Sequence, residues 1–321
     1  MLSLSLESRV AIVGTTFDMI RGSSMRDPQR NASMYVCPLC KGALIHGSCG
    51  PCGFSTDLNA RAPVFFSGSP LSQRYRAIGE YYDDLYDSRT NVWEEYADRG
   101  PDSIKFMARL VEEVRPRRYL DIGCGQGYLL GAVSGPEKFG MDISRRALET
   151  TGRRTDASLC VGIVEELPYP EGFFDVVSGI GVMEHMLDDM SATREINRVL
   201  RRGGRYIVLL LTDRMLLERI RVKLGEFVYP RPKPRELLRW AWSRLRSDRD
   251  SSPTSDDMPL QPVQNRYSPR SAEARFTSSG FRVERSITKR LVPDAPLPGH
   301  YMRLYVLAKC EEAQPPARVP S

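Results

Sequence analysis

Residues 119–130 read YLDIGCGQGYLL, and the fold turns on them. Pro116 closes a helical pattern, IKFMARLVEEV, and the apolar stretch that follows has the look of a buried strand. It runs into Gly123, Gly125 and Gly127 at alternate positions, followed by helix-forming residues. A tight strand-to-helix turn needs glycine, because the backbone enters positive φ and a ligand has to approach it closely. About 20 residues further on, Asp142 ends the next strand-like segment, KFGMDIS. At that spacing a carboxylate can accept hydrogen bonds from ribose hydroxyls. The glycines alone fit a dinucleotide, an adenosyl sulfonium or a bare tight turn.

Outward from this turn, strand and helix patterns alternate: SRRALETTGRR, SLCVGIV, FFDVVSGIGV, ATREINRVLRRGG, RYIVLLLT. Continuous apolar strands between amphipathic helices predict a parallel α/β sheet with helices on both faces. A helix (SPRSAEARFTSSG) and two strands (FRVERSITKRL, YMRLYVLAKC) complete it. The expected organisation is a flexible leader over 1–33, a metal module over 34–66 and a helical connector over 67–115. A catalytic domain over 116–310, with a lid insertion at 213–262, and a disordered tail at 311–321 complete the chain.

The series LDIGCGQG, GMDIS, EELPYPEGFFDVV, VMEH and EINRVLRRGGRYIV, in that order, resembles the class I S-adenosylmethionine-dependent methyltransferases of the ubiquinone/menaquinone type. The likeness runs from Tyr119 to Tyr206, with a weaker echo in YSPRSAEARFTSSGFRV. It implies a Rossmann-like seven-stranded methyltransferase sheet and S-adenosyl-L-methionine as cofactor. By the same resemblance, Asp121 and the turn Gly123, Cys124, Gly125 and Gly127 hold the methionine end. Asp142 takes the ribose, and Met141 and Ile143 flank the adenine. Ile163 stands where the family carries an Asp that caps the adenine amine, leaving that task to Glu165 or to backbone near Val164. Ile163 is then a buried apolar wall. The segment from Gly179 to His185 faces the transferable methyl. Two readings of Glu184 and His185 stand: a hydrogen-bonded structural pair, or His185 as the base that deprotonates the acceptor. Tyr82, with Tyr81 and Tyr86, belongs to a helix that covers the cofactor or simply packs on the sheet.

Cys37-Pro-Leu-Cys40 and Cys49-Gly-Pro-Cys52 form two CxxC knuckles eight residues apart. Two such knuckles complete a tetrahedral four-thiolate site suited to structural Zn2+. His46, between them, reads as a surface residue, since four cysteines already close the shell. The module resembles zinc ribbons that precede class I methyltransferase domains, among them ribosomal RNA guanine methyltransferases, where the ribbon helps recognise RNA. Metal removal is expected to unfold the ribbon and spare the cofactor fold.

The net charge of +6 admits an anionic partner without naming one. No apolar run is long enough to span a bilayer, and the start carries no basic n-region, so the expected site is the cytoplasm. The segment 235–246 sets Trp240 and Trp242 among Arg235, Arg239, Arg244 and Arg246, a pattern that fits a lid helix, peripheral membrane contact or RNA. Three functions follow from the sequence: methyl transfer to a small-molecule, lipid or sugar-linked acceptor, RNA base methylation, or a non-catalytic partner that keeps the cofactor fold.

Overall fold

A computed structural model describes residues 34–88, 101–212, 265, 267–290 and 301–310. The expected leader, the insertion 213–262 with its 235–246 segment, and the tail lie outside the described residues. Seven strands form one sheet: β1 Arg118–Ile122, β2 Glu137–Asp142, β3 Ser158–Val161, β4 Phe174–Ile180, β5 Leu200–Thr212, β6 Phe281–Arg290 and β7 Tyr301–Lys309. Their spatial order is β3-β2-β1-β4-β5-β7-β6. Strands β1 to β5 pair in parallel, and β7 is antiparallel to both of its neighbours. Every strand read from the sequence is present. The order reverses between β1 and β4, so the carboxyl ends of those strands flank a switch-point crevice.

The helices are α1 Pro70–Ser88, α2 Pro101–Glu113, α3 Tyr128–Ala132, α4 Arg145–Arg154, α5 Asp189–Val199 and α6 Pro269–Ser278. Local chemistry sets their starts. Ser144, Asp188 and Ser268 cap α4, α5 and α6 through side chains that accept main-chain N–H bonds. Helix α5 stops at Val199, short of the RRGG that the pattern assigned to it. Leu200 instead enters β5 and pairs with Phe174, and the glycines fall in an irregular stretch of register before Arg205.

The two faces of the sheet are covered differently. On one, Met107, Leu110 and Val111 of α2, Leu129 and Leu130 of α3 and Leu148 of α4 pack on Tyr119, Leu159, Val176 and Ile207. On the other, α5 and α6 supply Ile196, Val199 and Phe276, but the crossover from β3 to β4 contains only a 3₁₀ turn, Val164–Glu166. The bay that a crossover helix would fill is taken by the cysteine module. Its Tyr35 ring lies 4.8 Å from Phe65 and 5.5 Å from Tyr169, and Phe139 packs edge-on to Tyr169 at 6.0 Å. Module and sheet therefore share one hydrophobic core.

Polar contacts fix the same docking. Val36 N–H donates to the Pro168 carbonyl, and Lys41 reaches Glu195 of α5 at 2.6 Å. Val64 adds a parallel bridge beside Val161 at the edge of β3, closed by Phe65 N–H to Val161 O and Val161 N–H to Pro63 O. The open edge of the sheet is thus partly paired.

Candidate functional site

Asp121 and Asp142 end the neighbouring strands β1 and β2, and the glycine turn passes between them. Gly123, Gly125 and Gly127 all have positive φ, between 51° and 76°. A Cβ on Gly123 would collide with Val182, and one on Gly127 would lie 2.6 Å from Thr151 Cγ2. Glycine is required at both by conformation and by space. The turn is held from three sides. Gly125 N–H donates to Asp142 Oδ2 at 2.8 Å, Thr151 Oγ1 of α4 donates to Gly125 O at 2.6 Å, and Cys124 N–H donates to Met141 O at 3.1 Å. Thr151 had no signal in the sequence, because its role exists only once α4 packs beside the turn.

Asp142 accepts from Gly125 N–H and, through Oδ1, from Ser144 N–H at 2.9 Å. Each oxygen keeps a further lone pair, so the carboxylate can still accept from a ligand hydroxyl. Burial pushes its pKa up, and the Ser144, Gly125 and Ile143 amides oppose that push. Asp121 is 4% exposed. Burial pushes its pKa up to about 7, with Ser178 lowering it and Asp142 raising it further. Its Oδ1 accepts from Ser178 Oγ at 2.5 Å, and its second oxygen has no hydrogen-bond partner among the described residues. A buried carboxylate with one oxygen left over beside a glycine turn has the chemistry to accept from a cation.

Helix α1 lies across this end of the sheet. Tyr82 and Tyr86 both have phenol pKa values raised, first by burial and then by Asp142, which places them over the Asp142 side of the crevice. A Cβ on Gly125 would lie 3.1 Å from Tyr86 Oη. Asp83 accepts from Ser144 Oγ at 2.6 Å and from Arg146 N–H at 3.1 Å, pinning α1 to the start of α4. Gly79 allows the close approach of α1 to Ile143, 3.3 Å from a built Cβ to Cγ1. Met141, by contrast, is buried in the core, its sulfur near Gly162.

The acidic pair of the 3₁₀ turn anchors the other end of α1. Glu166 accepts from Ser67 Oγ and Ser69 Oγ, each at 2.5 Å, and Ser69 in turn accepts from Ser72 N–H at the helix start. Glu165 accepts from Tyr75 Oη at 2.6 Å and Asp188 N–H at 3.1 Å, while Tyr75 Oη accepts from Leu187 N–H at 2.7 Å. Glu165 thus binds the cover helix in this structure. Ile163 is buried, and Val164 beside it is buried too. Sequence reasoning missed Tyr75, Ser178 and Tyr119, whose partners are 112, 57 and 59 residues distant.

At the end of β4, Gly179 approaches Ile122, and Gly181 has φ of 59°. The 3₁₀ turn Met183–His185 follows. Glu184 is buried, its carbonyl accepting from Asn265 N–H at 2.6 Å, whereas His185 is half-buried and its N–H donates to Val182 O at 3.0 Å. Tyr267 Oη donates to Met183 O at 3.0 Å, locking the turn from the α6 side.

The four cysteine sulfurs of the N-terminal module lie within 4.8 Å of one another. A tetrahedral zinc with Zn–S of about 2.3 Å needs sulfurs about 3.8 Å apart, so the set fits such an ion closely. The two knuckles are built alike. Lys41 N–H bonds Cys37 O and Gly53 N–H bonds Cys49 O, with positive φ at Lys41 and Gly53. The Gly42 amide holds the Cys40 thiol low, at about 7. His46 is exposed and outside the cluster.

A doubly wound sheet with an antiparallel seventh strand, a glycine turn at the switch point and a carboxylate ending β2 defines the class I methyltransferase fold. The model of the methyltransferase domain family matches residues 120–208, and that part of the chain is a methyltransferase domain. The chain is 28% identical over 193 residues to an uncharacterized methyltransferase of Schizosaccharomyces pombe, covering 55% of this chain and 62% of that one. It is 29% identical over 173 residues to ajmaline N-methyltransferase of Rauvolfia serpentina, covering 43% and 59%. A ubiquinone biosynthesis O-methyltransferase of Alkalilimnicola ehrlichii is 30% identical over 118 residues, with 34% and 48% covered. The chain thus spans about half to three fifths of the length of these relatives.

Proposed function

We propose that this chain transfers the methyl group of S-adenosylmethionine to a small-molecule acceptor, lipid-like or sugar-linked acceptors included. The observation that carries the proposal is the pair of buried carboxylates, Asp121 and Asp142, at adjacent strand ends on either side of the glycine turn. Their chemistry suits the two polar ends of such a cofactor: the unpaired oxygen of Asp121 accepts from an ammonium, and Asp142 accepts from ribose hydroxyls. Gly123, Cys124, Gly125 and Gly127 leave main chain open to the ligand, and Ile143, Val164 and Glu165 border the adenine side. Tyr82 and Tyr86 close the crevice from α1.

When bound, the cofactor supplies an electrophilic methyl on a sulfonium, an already good leaving group. The protein's part is then orientation and exclusion of water more than acid–base chemistry. The segment Gly179–His185 positions the acceptor. His185 is half-buried where Glu184 is buried, which supports His185 over Glu184 as the group that receives a proton. The four thiolates hold one structural Zn2+, a closed shell with no open position for chemistry. The lysine between the knuckles is paired with Glu195, so the ribbon offers little to a polyanion, and the small-molecule reading is preferred to RNA.

The test is label transfer. Purified chain is incubated with methyl-labelled S-adenosylmethionine and, separately, a small-metabolite extract, a lipid extract and total RNA. Label in the metabolite or lipid fraction supports the proposal. Label confined to RNA replaces it with base methylation, and none in any fraction leaves the partner-protein reading.

A further inference from the structure

Beneath the glycine turn, three side chains from two strands form a closed hydrogen-bonded line. Tyr119 Oη lies 2.7 Å from Ser178 Oγ, and Ser178 Oγ lies 2.5 Å from Asp121 Oδ1. Tyr119 and Asp121 point to the same side of β1, and Ser178 is Asp121's register partner on β4. Tyr119 and Ser178 are both fully buried. Among the described residues Tyr119 has no other acceptor for its proton, so its hydroxyl donates to Ser178. The serine proton is therefore directed to Asp121. Were the order reversed, a buried phenol proton would be left without a partner, and Asp121 would lose its one side-chain donor.

We propose that Ser178, oriented by Tyr119, is a positioning residue that favours the ionised form of the Asp121 carboxylate and turns it so that its free oxygen receives the ammonium of the cofactor's amino-acid end. This rests on the cofactor reading given above and adds to it the residues that set the charge of the receptor. Other titratable groups near Asp121 act against ionisation or are neutral: Asp142 repels it, and the buried Cys124 thiol and the Tyr119 and Tyr206 phenols stay protonated. Ser178 is the only side chain among the described residues that hydrogen-bonds Asp121. Its removal leaves a buried anion with no side-chain donor among the described residues.

The inference is tested by calorimetric titration of S-adenosylhomocysteine at pH 5.5 to 8. This ligand carries the same amino-acid end and no sulfonium. Affinity of the unaltered chain is expected to rise as pH passes through about 7. In Ser178→Ala the rise moves about one pH unit higher, an affinity loss of about fivefold at pH 7 that approaches tenfold toward pH 5.5. Ser178→Thr, which keeps the hydroxyl, restores the original profile, and Tyr119→Phe shifts it in the same direction by less. A Ser178→Ala profile lowered by one factor at every pH, with its midpoint unmoved, overturns the inference and leaves Ser178 as packing. Absence of binding by the unaltered chain at every pH overturns the cofactor reading instead.

Discussion

Asp121 shows how a single residue can set function against stability. Its pKa is raised by burial to about 7, so the folded chain resists ionising it. The sign follows directly: stability is full below about pH 4, and is lost as pH rises toward 7, because the unfolded chain releases the proton first. Asp121→Asn removes that cost while preserving a hydrogen bond from Ser178. The variant should melt higher than the unaltered chain at pH 8 and no differently at pH 4, with S-adenosylhomocysteine affinity down at least tenfold. A variant that melts lower at pH 8 would show that the carboxylate is already stabilised. Most of this residue chemistry was legible in advance. LDIGCG and the Asp at the end of KFGMDIS announce the two carboxylates by their position after apolar strands. Nothing local announces Ser178 or Thr151, since their roles are created by strand register and helix packing.

The cover helix α1 is the element on which the site depends most. Its inward face carries Tyr75, Tyr82 and Tyr86, and the sequence EYYDDLYD gave notice of the last two. Its anchors lie elsewhere, in Glu165 and Glu166 of a turn about 90 residues away, and no periodicity in α1 reveals them. Tyr75 also touches Leu187 N–H, so one phenol joins the cover helix to the segment just beyond His185. Tyr75→Phe should cost about 1–2 kcal/mol, leaving Glu165 with one donor fewer and Leu187 N–H without its acceptor. Hydrogen exchange should quicken at Leu187 and across the first turns of α1, and α2 should be unchanged. Unaltered exchange in α1 would mean that Ser67, Ser69 and Asp83 suffice to hold it. At the glycine turn, Gly127→Ala should lower stability by about 2 kcal/mol in chemical denaturation, since φ of 76° and the Thr151 methyl both exclude a Cβ.

At the scale of the whole molecule, the structure revises one expectation. The sequence separates the ribbon from the catalytic domain as a module that could unfold alone. Yet Tyr35, Phe54 and Phe65 lie in the same core as Phe139, Tyr169 and Phe174, and the ribbon occupies a bay left by a crossover that has no helix. The seven strands and their order along the chain were legible from their apolar or alternating patterns, whereas the antiparallel pairing of β7 was not. The docking of the ribbon was not, because it depends on the missing helix and not on any feature of the cysteines. With zinc in the four-cysteine site, its chelation should accordingly lower the melting temperature of the described domain in one cooperative transition. Two separated transitions, with the upper one unmoved, would restore the independent module.

The central claim is that a nucleoside cofactor with an amino-acid end lies between Asp121, Asp142 and α1. It is tested most directly by calorimetric titration of S-adenosylhomocysteine at pH 7.5 into the unaltered chain and Asp142→Ala. The account predicts saturable one-to-one binding, weakened at least tenfold by the substitution because the ribose hydroxyls lose their acceptor. Equal affinity in the two proteins, or no heat of binding in either, would contradict it.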